Sequence, residues 1–319
     1  MLQHQKVRLP RFRPDPDRVR AAKITARDYQ ILEAIYRHRF LRSSHIVGLV
    51  EGSGQQILRR LHRLFHHGYV TRPRCQLDFF HAAGSTPMVY GISNKGARVL
   101  PAHVPGLDPK HSRTDWTAKN NSVQQLYLHH ALLVSDIMVA MEIAFRNHPS
   151  VQFIPLERLF PHRARPITWR VESRSRKSSG IYPDAVFALE ALNASGELKR
   201  CHYFVEADTG SMPIERKPSS KASSFAGKLE LYSETWRQKL HRTELGIQRF
   251  QLLTVTISPK RAKQIAAVAG KIWHGPGIFL FTDLAAISKS AGCGSIFHHR
   301  WFTAHSGAED TLKNCLAAG

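Results

Sequence analysis

Two short apolar runs carry acids where acids are costly. Ile181-Tyr-Pro-Asp184-Ala-Val-Phe-Ala-Leu189 and Cys201-His-Tyr-Phe-Val-Glu206-Ala-Asp208 are rich in β-branched and aromatic residues, the composition of strands buried in a sheet. An ionised carboxylate in such a setting must be paired or must bind a metal. Side chains alternate along a strand, so Glu206 and Asp208 share a face. If the two strands pair, Asp184 joins them and the three carboxylates make an oxygen-rich pocket suited to Mg²⁺ or Mn²⁺. The same residues also suit a strand that ends in a solvated turn at Thr209-Gly210-Ser211. In the segment that follows, Lys228, Tyr232 and Trp236 are spaced four apart, so on a helix one face would carry a cation and a phenol.

The partner class is constrained by charge. The chain has 319 residues, enough for two domains, with 46 Lys and Arg against 24 Asp and Glu, a formal charge of +22. The isoelectric point near 10.3 points to a polyanion, and nucleic acid is the commonest one. Charge alone does not separate DNA from RNA. No apolar run approaches the roughly 20 residues that cross a bilayer, and the Arg-rich N-terminus has no apolar core of a secretory signal, so no membrane role is expected. Cys75, Cys201, Cys293 and Cys315 lie far apart with no Cys-x-x-Cys pair. That argues against a zinc ribbon or a disulfide framework and for a reducing cytoplasm.

Residues 1–23, with Lys6, Arg8, Arg11, Arg13, Arg18, Arg20 and Lys23 among three prolines, read as a flexible basic arm. Residues 24–100 read as three helices, a hairpin and a further helix. Thr25-Ala-Arg-Asp28 is an N-cap signal, Ser43 or Ser44 caps a second helix, and Ser53 caps a third that Gly68 closes. That third helix buries Ile57, Leu58, Leu61, Leu64 and Phe65 and exposes Gln56, Arg59, Arg60 and Arg63. Val70–Arg74 and Met88–Ile92 bracket a loop as a hairpin would. This order resembles a winged helix-turn-helix domain, in which the third helix enters the major groove of double-stranded DNA. Gln56, Arg59, Arg60 and Arg63 then become DNA contacts, with Arg72 and Arg74 on the wing; the plainer alternative is an amphipathic helix whose charges face water.

Residues 101–121, rich in Pro and His, read as a linker. Residues 122–305 read as a mixed-sheet domain and 306–319 as a tail. The mixed-sheet domain opens with a long helix presenting Leu126, His130, Val134, Ile137, Met141 and Ala144 on one face. Strands at 151–155 and 167–171 and a basic loop at Arg174, Arg176 and Lys177 precede the acid-bearing pair. A helix over 221–240, a strand over 250–257, a helix over 259–273 and a strand over 277–281 follow. Pro259 stands where a first-turn proline belongs. The alternation implies an α+β or α/β chain with helices packed on a mixed sheet.

Thr25-Ala-Arg-Asp28 and Leu58-Arg-Arg-Leu-His-Arg-Leu64, followed by Tyr182-Pro-Asp184, Phe204-Val-Glu206-Ala-Asp208 and Lys228-Leu-Glu-Leu-Tyr232, together resemble the replication-relaxation family of plasmids and integrative elements. The resemblance covers roughly residues 24–285. It implies a winged helix followed by a restriction-endonuclease-like domain, and a role in element replication, nicking at a transfer origin or support of a relaxase or replication initiator. By that resemblance Asp184 and Glu206 match the two metal-binding acids of the PD-(D/E)xK arrangement. This chain departs from it at Asp208, which stands where the pattern has lysine; Lys228 from the following helix is the substitute. The expectation that follows is a Mg²⁺- or Mn²⁺-dependent nickase with Asp184, Glu206 and Asp208 on the metal. Lys228 would act on the phosphate and Tyr232 on water or phosphorus. The rival is a non-catalytic DNA-binding accessory. A homodimer would suit a palindromic origin.

Overall fold

The structure is a computed structural model describing residues 10–20, 23–77, 86–104, 114–161, 167–173, 176–193, 195–216, 223–292, 295–305 and 307–317. Lys6, Arg8, Pro105, Gly106, Pro109, Arg174 and Lys221 lie outside these. The chain divides into two compact units, Met1–Ser135 and Asp136–Gly319.

In the N-terminal unit, α1 (Ala26–His38), β1 (Phe40–Arg42), α2 (Ser43–Leu49) and α3 (Gly54–His66) are followed by β2 (Val70–Thr71), β3 (Val89–Ile92), α4 (Asn94–Val99) and α5 (Trp116–Asn121). The strands form a three-stranded sheet in the order β1-β3-β2, antiparallel throughout. The Ser53 hydroxyl accepts from the Gln56 amide at the start of α3, and Ser93 does the same for Gly96 in α4. Gly96 is required for packing: a Cβ there would stand 2.1 Å from the Tyr69 carbonyl oxygen.

The region expected to be a bare linker carries α5, whose Asn120 is buried and donates to the Ile92 carbonyl at 2.9 Å. The described part of the basic arm is docked rather than loose. The Asp15 amide donates to His66 Nδ1 at 3.1 Å, and Arg72 donates to the Arg11 carbonyl at 2.8 Å. Burial, then the neighbouring His62 and Arg72, hold the His66 imidazole down to about 4, so it is neutral near pH 7 and able to accept that bond.

The long helix α6 spans Gln125–Arg146. Ile137 and Met141 of the expected stripe are buried, but the rest of the buried side is shifted from it. Leu128, Leu132, Ile137, Met141 and Phe145 are buried, while Leu126 is 77% exposed; Leu128 and Leu132 meet Phe40 and Val89. Contrary to expectation this helix is long and apolar enough to cross a membrane, yet half of its most apolar stretch is buried within the protein.

The C-terminal unit continues with β4 (Gln152–Pro155), α7 (Leu156–Leu159), β5 (Trp169–Ser173), β6 (Arg176–Ile181), β7 (Ala185–Leu192) and β8 (Leu198–Asp208). Then come α8 (Phe225–Arg237), α9 (Leu240–Thr243), β9 (Phe250–Thr256), α10 (Pro259–Ile272), β10 (Phe279–Asp283), α11 (Leu284–Gly292), β11 (Trp301–Thr303), β12 (Glu309–Asp310) and α12 (Leu312–Ala317). β5 and β6 form a separate hairpin, so Arg176 and Lys177 fall in a strand rather than a loop.

Seven strands make one mixed sheet in the order β12-β11-β10-β9-β8-β7-β4. β8, β9 and β10 run parallel, joined through α8 and α10 as two βαβ crossovers; β7 lies antiparallel to β8. The protein is thus a mixed α+β chain. One core joins Phe204, Leu252 and Phe279 of the sheet to Phe225, Leu229, Tyr232, Ala262 and Ile265 of the helices. On the other face Tyr203 donates to the Leu312 carbonyl, and Cys201 is disulfide-bonded to Cys315 with Cα atoms 6.1 Å apart. The sequence reading, which argued against a disulfide framework, did not foresee this bond: residues distant in sequence meet because α12 returns to β8.

Asp28 ties the N-terminal unit together. It is 1% exposed, its Oδ2 accepts from the Thr25 amide and hydroxyl, and Arg60 of α3 grips both of its oxygens. Asp28→Ala strands the Arg60 guanidinium and is expected to cost about 3 kcal/mol, read as a lower urea midpoint at unchanged slope.

Candidate functional site

Two clusters collect the residues singled out in the sequence, one in each unit.

In the C-terminal unit the register Ala185↔Val205 sets Asp184 one step beyond the last pair, beside Glu206. Alternation then turns Asp184, Glu206 and Asp208 to the face covered by α8 and α10. The Ala207 amide donates to Asp184 Oδ2 at 2.9 Å. Glu206 is 1% exposed; Lys228 donates to its Oε2 and the Tyr232 hydroxyl to its Oε1 at 2.8 Å. Lys228 and Tyr232 are four apart on α8, so one helix face delivers both donors. Asp208, also buried, is held by Arg261 through both oxygens, and the same guanidinium reaches the Met212 carbonyl.

The electrostatics follow from burial. Desolvation first, then the nearby Asp184 carboxylate, push Glu206 up to about 7, against the opposing pull of Lys228 and Tyr232. Burial pulls Lys228 down, but Glu206, Asp184 and Asp208 outweigh it and the net shift is upward. Tyr232 is held well above its usual value by burial and by the carboxylate it donates to. The buried phenol holds Glu206 by this hydrogen bond.

Asp184, Glu206 and Lys228 therefore converge, with Asp208 drawn aside to Arg261. The three acids do not fit the expected cation pocket. Both oxygens of Glu206 and both of Asp208 are taken by protein donors, and among the described residues no group of three metal-ligating side chains stands together.

In the N-terminal unit, α3 turns Gln56, Leu58 and Arg59 outward, with Arg63 half-buried beside them. Arg27 of α1, not singled out in the sequence, joins this strip by donating to Gln56 Oε1 at 3.0 Å. Two expected members face elsewhere. Arg60 is spent on Asp28. Arg72 is buried, its guanidinium 3.9 Å from the Phe65 ring centroid and 5.1 Å from that of Tyr90, and it donates to the Tyr90 hydroxyl. Arg74 is exposed in a short 3-10 turn. Arg261 was likewise missed, because its role requires β8 and β9 to be parallel neighbours, which places the start of α10 beside the end of β8.

The architecture is that of a basic α+β protein with a helical N-terminal unit and an acid–lysine cluster at the end of a central strand. The model of the replication-relaxation family matches residues 32–248, well over half of the chain, and the chain belongs to that family. Comparison with curated proteins and with solved structures gives no match.

Glu206 gives a pH test. An acid raised from about 4.5 to about 7 in the fold binds its proton more tightly folded than unfolded, so its contribution to stability falls as pH rises across that window. Denaturant unfolding between pH 5 and 8 should show this decline, and Glu206→Gln should flatten it, the full span being on the order of 3 kcal/mol.

Proposed function

We propose that the chain is a double-stranded-DNA-binding protein of a plasmid or other mobile element, in which the N-terminal unit is a winged helix and α3 reads the major groove. Membership of the replication-relaxation family supports a role in replication or relaxation of such an element. The observation that carries the DNA-binding reading is the outward strip of α3, Gln56, Arg59 and Arg63, extended by Arg27. Arginine offers bidentate donors to guanine and to phosphate, and glutamine pairs with adenine. A chain of charge +22 adds sequence-independent attraction to the backbone. On this reading the C-terminal unit is a non-catalytic, nuclease-like platform for a relaxase or replication initiator. Its buried acids serve packing, because their oxygens are already taken.

A second reading keeps that unit as a phosphodiesterase acting on element DNA. The convergence of Asp184, Glu206 and Lys228 favours it, since Lys228 remains 32% exposed at its side chain and is the cation a phosphate would meet. Supercoiled element DNA incubated with Mg²⁺ or Mn²⁺ separates the two readings. Nicking that disappears in Asp184→Ala and Glu206→Gln establishes the phosphodiesterase, and intact supercoils leave the platform.

Arg59→Ala combined with Arg63→Ala is expected to weaken binding to element duplex at least tenfold and to lower the salt slope by about 2. Fluorescence anisotropy across a salt series measures both. Circular dichroism should remain that of the parent, because neither side chain is fully buried.

A further inference from the structure

The C-terminal unit holds a second basic feature, along α10 and the β11–β12 turn. Between α10 and the β11–β12 turn lies a groove of about 680 Å³. Its floor is apolar and close-packed. Gly270 lets the helix approach the turn, since a Cβ there would stand 2.4 Å from the Ala304 carbonyl oxygen. Trp273 lies beneath, buried, with its indole N–H already donated to Pro276 at 2.7 Å. Phe302 lines the wall half-buried, packed in part against the core; the Lys263 ammonium lies over its ring, 5.3 Å from the centroid.

The rim is cationic. Lys263 and Lys271 are exposed on one side of α10, eight residues and so about 12 Å apart along the helix axis. His274 and His305 are exposed beside them. The acid among the lining residues, Glu309, faces Arg300 at 3.2 Å. Neither lysine is used by the acid cluster or by the α3 strip.

We infer that this groove binds a short single-stranded DNA segment, with a base stacked on Phe302 and phosphates along Lys263 and Lys271. The chemistry is that of single-strand binding in general: an aromatic face accepts any base, and a row of cations follows the backbone. A duplex keeps its bases stacked on one another and has none to offer to a ring in the wall of a groove.

The test uses the full chain and a fluorescein-labelled twelve-residue oligothymidine, with element duplex measured in parallel. Lys263→Ala combined with Lys271→Ala should weaken oligothymidine binding about tenfold and lower its salt slope by about 1.4, with duplex binding unchanged. Phe302→Leu, which keeps apolar bulk in the wall, should weaken oligothymidine alone by fivefold or more, the low end for one stacked base. Arg59→Ala with Arg63→Ala should do the reverse, lowering duplex binding and sparing oligothymidine. The inference is overturned if the parent chain does not bind oligothymidine, if the groove variants bind it normally, or if they lose duplex in equal measure. The last two results would assign the groove to duplex contact or to another partner such as an acidic peptide. Failure of the α3 variants alone would strike the duplex reading and leave this one intact.

Discussion

A carboxylate buried in an apolar sheet has to be answered by a donor, and the C-terminal unit is arranged around that requirement. Glu206 and Asp208 stand at the end of β8 with almost no exposure. Lys228 and Tyr232 come from α8 for the first, and Arg261 comes from α10 for the second. The two helices that close the parallel crossovers are thereby fixed to one strand end by charge as well as by the core they share. Breaking either pair would leave an unanswered charge, which costs more than the pair contributes by existing. The acids thus specify where the helices sit, whatever chemistry the site performs.

The same device recurs in the N-terminal unit, where Asp28 caps α1 and holds Arg60 of α3. One consequence concerns how a basic surface is counted. Of the arginines on and after α3, Arg60 and Arg72 are committed inward, one to a carboxylate and one to two aromatic faces. Arg59 and Arg63 are left for a partner, and Arg27 is brought in from another helix. A helical wheel drawn for α3 alone cannot make that separation, because the choice is made by α1 and by the small sheet.

Much of the architecture was legible locally. Ser53, Ser93 and Pro259 mark helix starts, and the apolar runs of β7, β8 and β9 announce buried strands. The shared face of Glu206 and Asp208 follows from alternation, and the shared face of Lys228 and Tyr232 from helical spacing. What was not legible depends on strand order. Arg261 reaches Asp208 because β9 pairs parallel to β8, and nothing near Pro259 states that. Cys201 and Cys315 meet because a terminal helix folds back across the sheet. The stripe of α6 was read correctly only at Ile137 and Met141, because a helix with apolar residues on most sides gives a weak phase. Leu126 and Leu128 are both leucines, and only Phe40 and Val89 decide which is buried.

The covalent tie between β8 and α12 has a topological result. Cys201 and Cys315, separated by 114 positions, close the stretch from the middle of β8 to α12 into a ring that contains α8, α10 and the groove beside it, and leave β4 to β7 outside it. While the tie holds, a single protease cut anywhere between the two sulfurs opens the ring without releasing a fragment. Such a nicked molecule keeps its mass on a gel until a thiol is added.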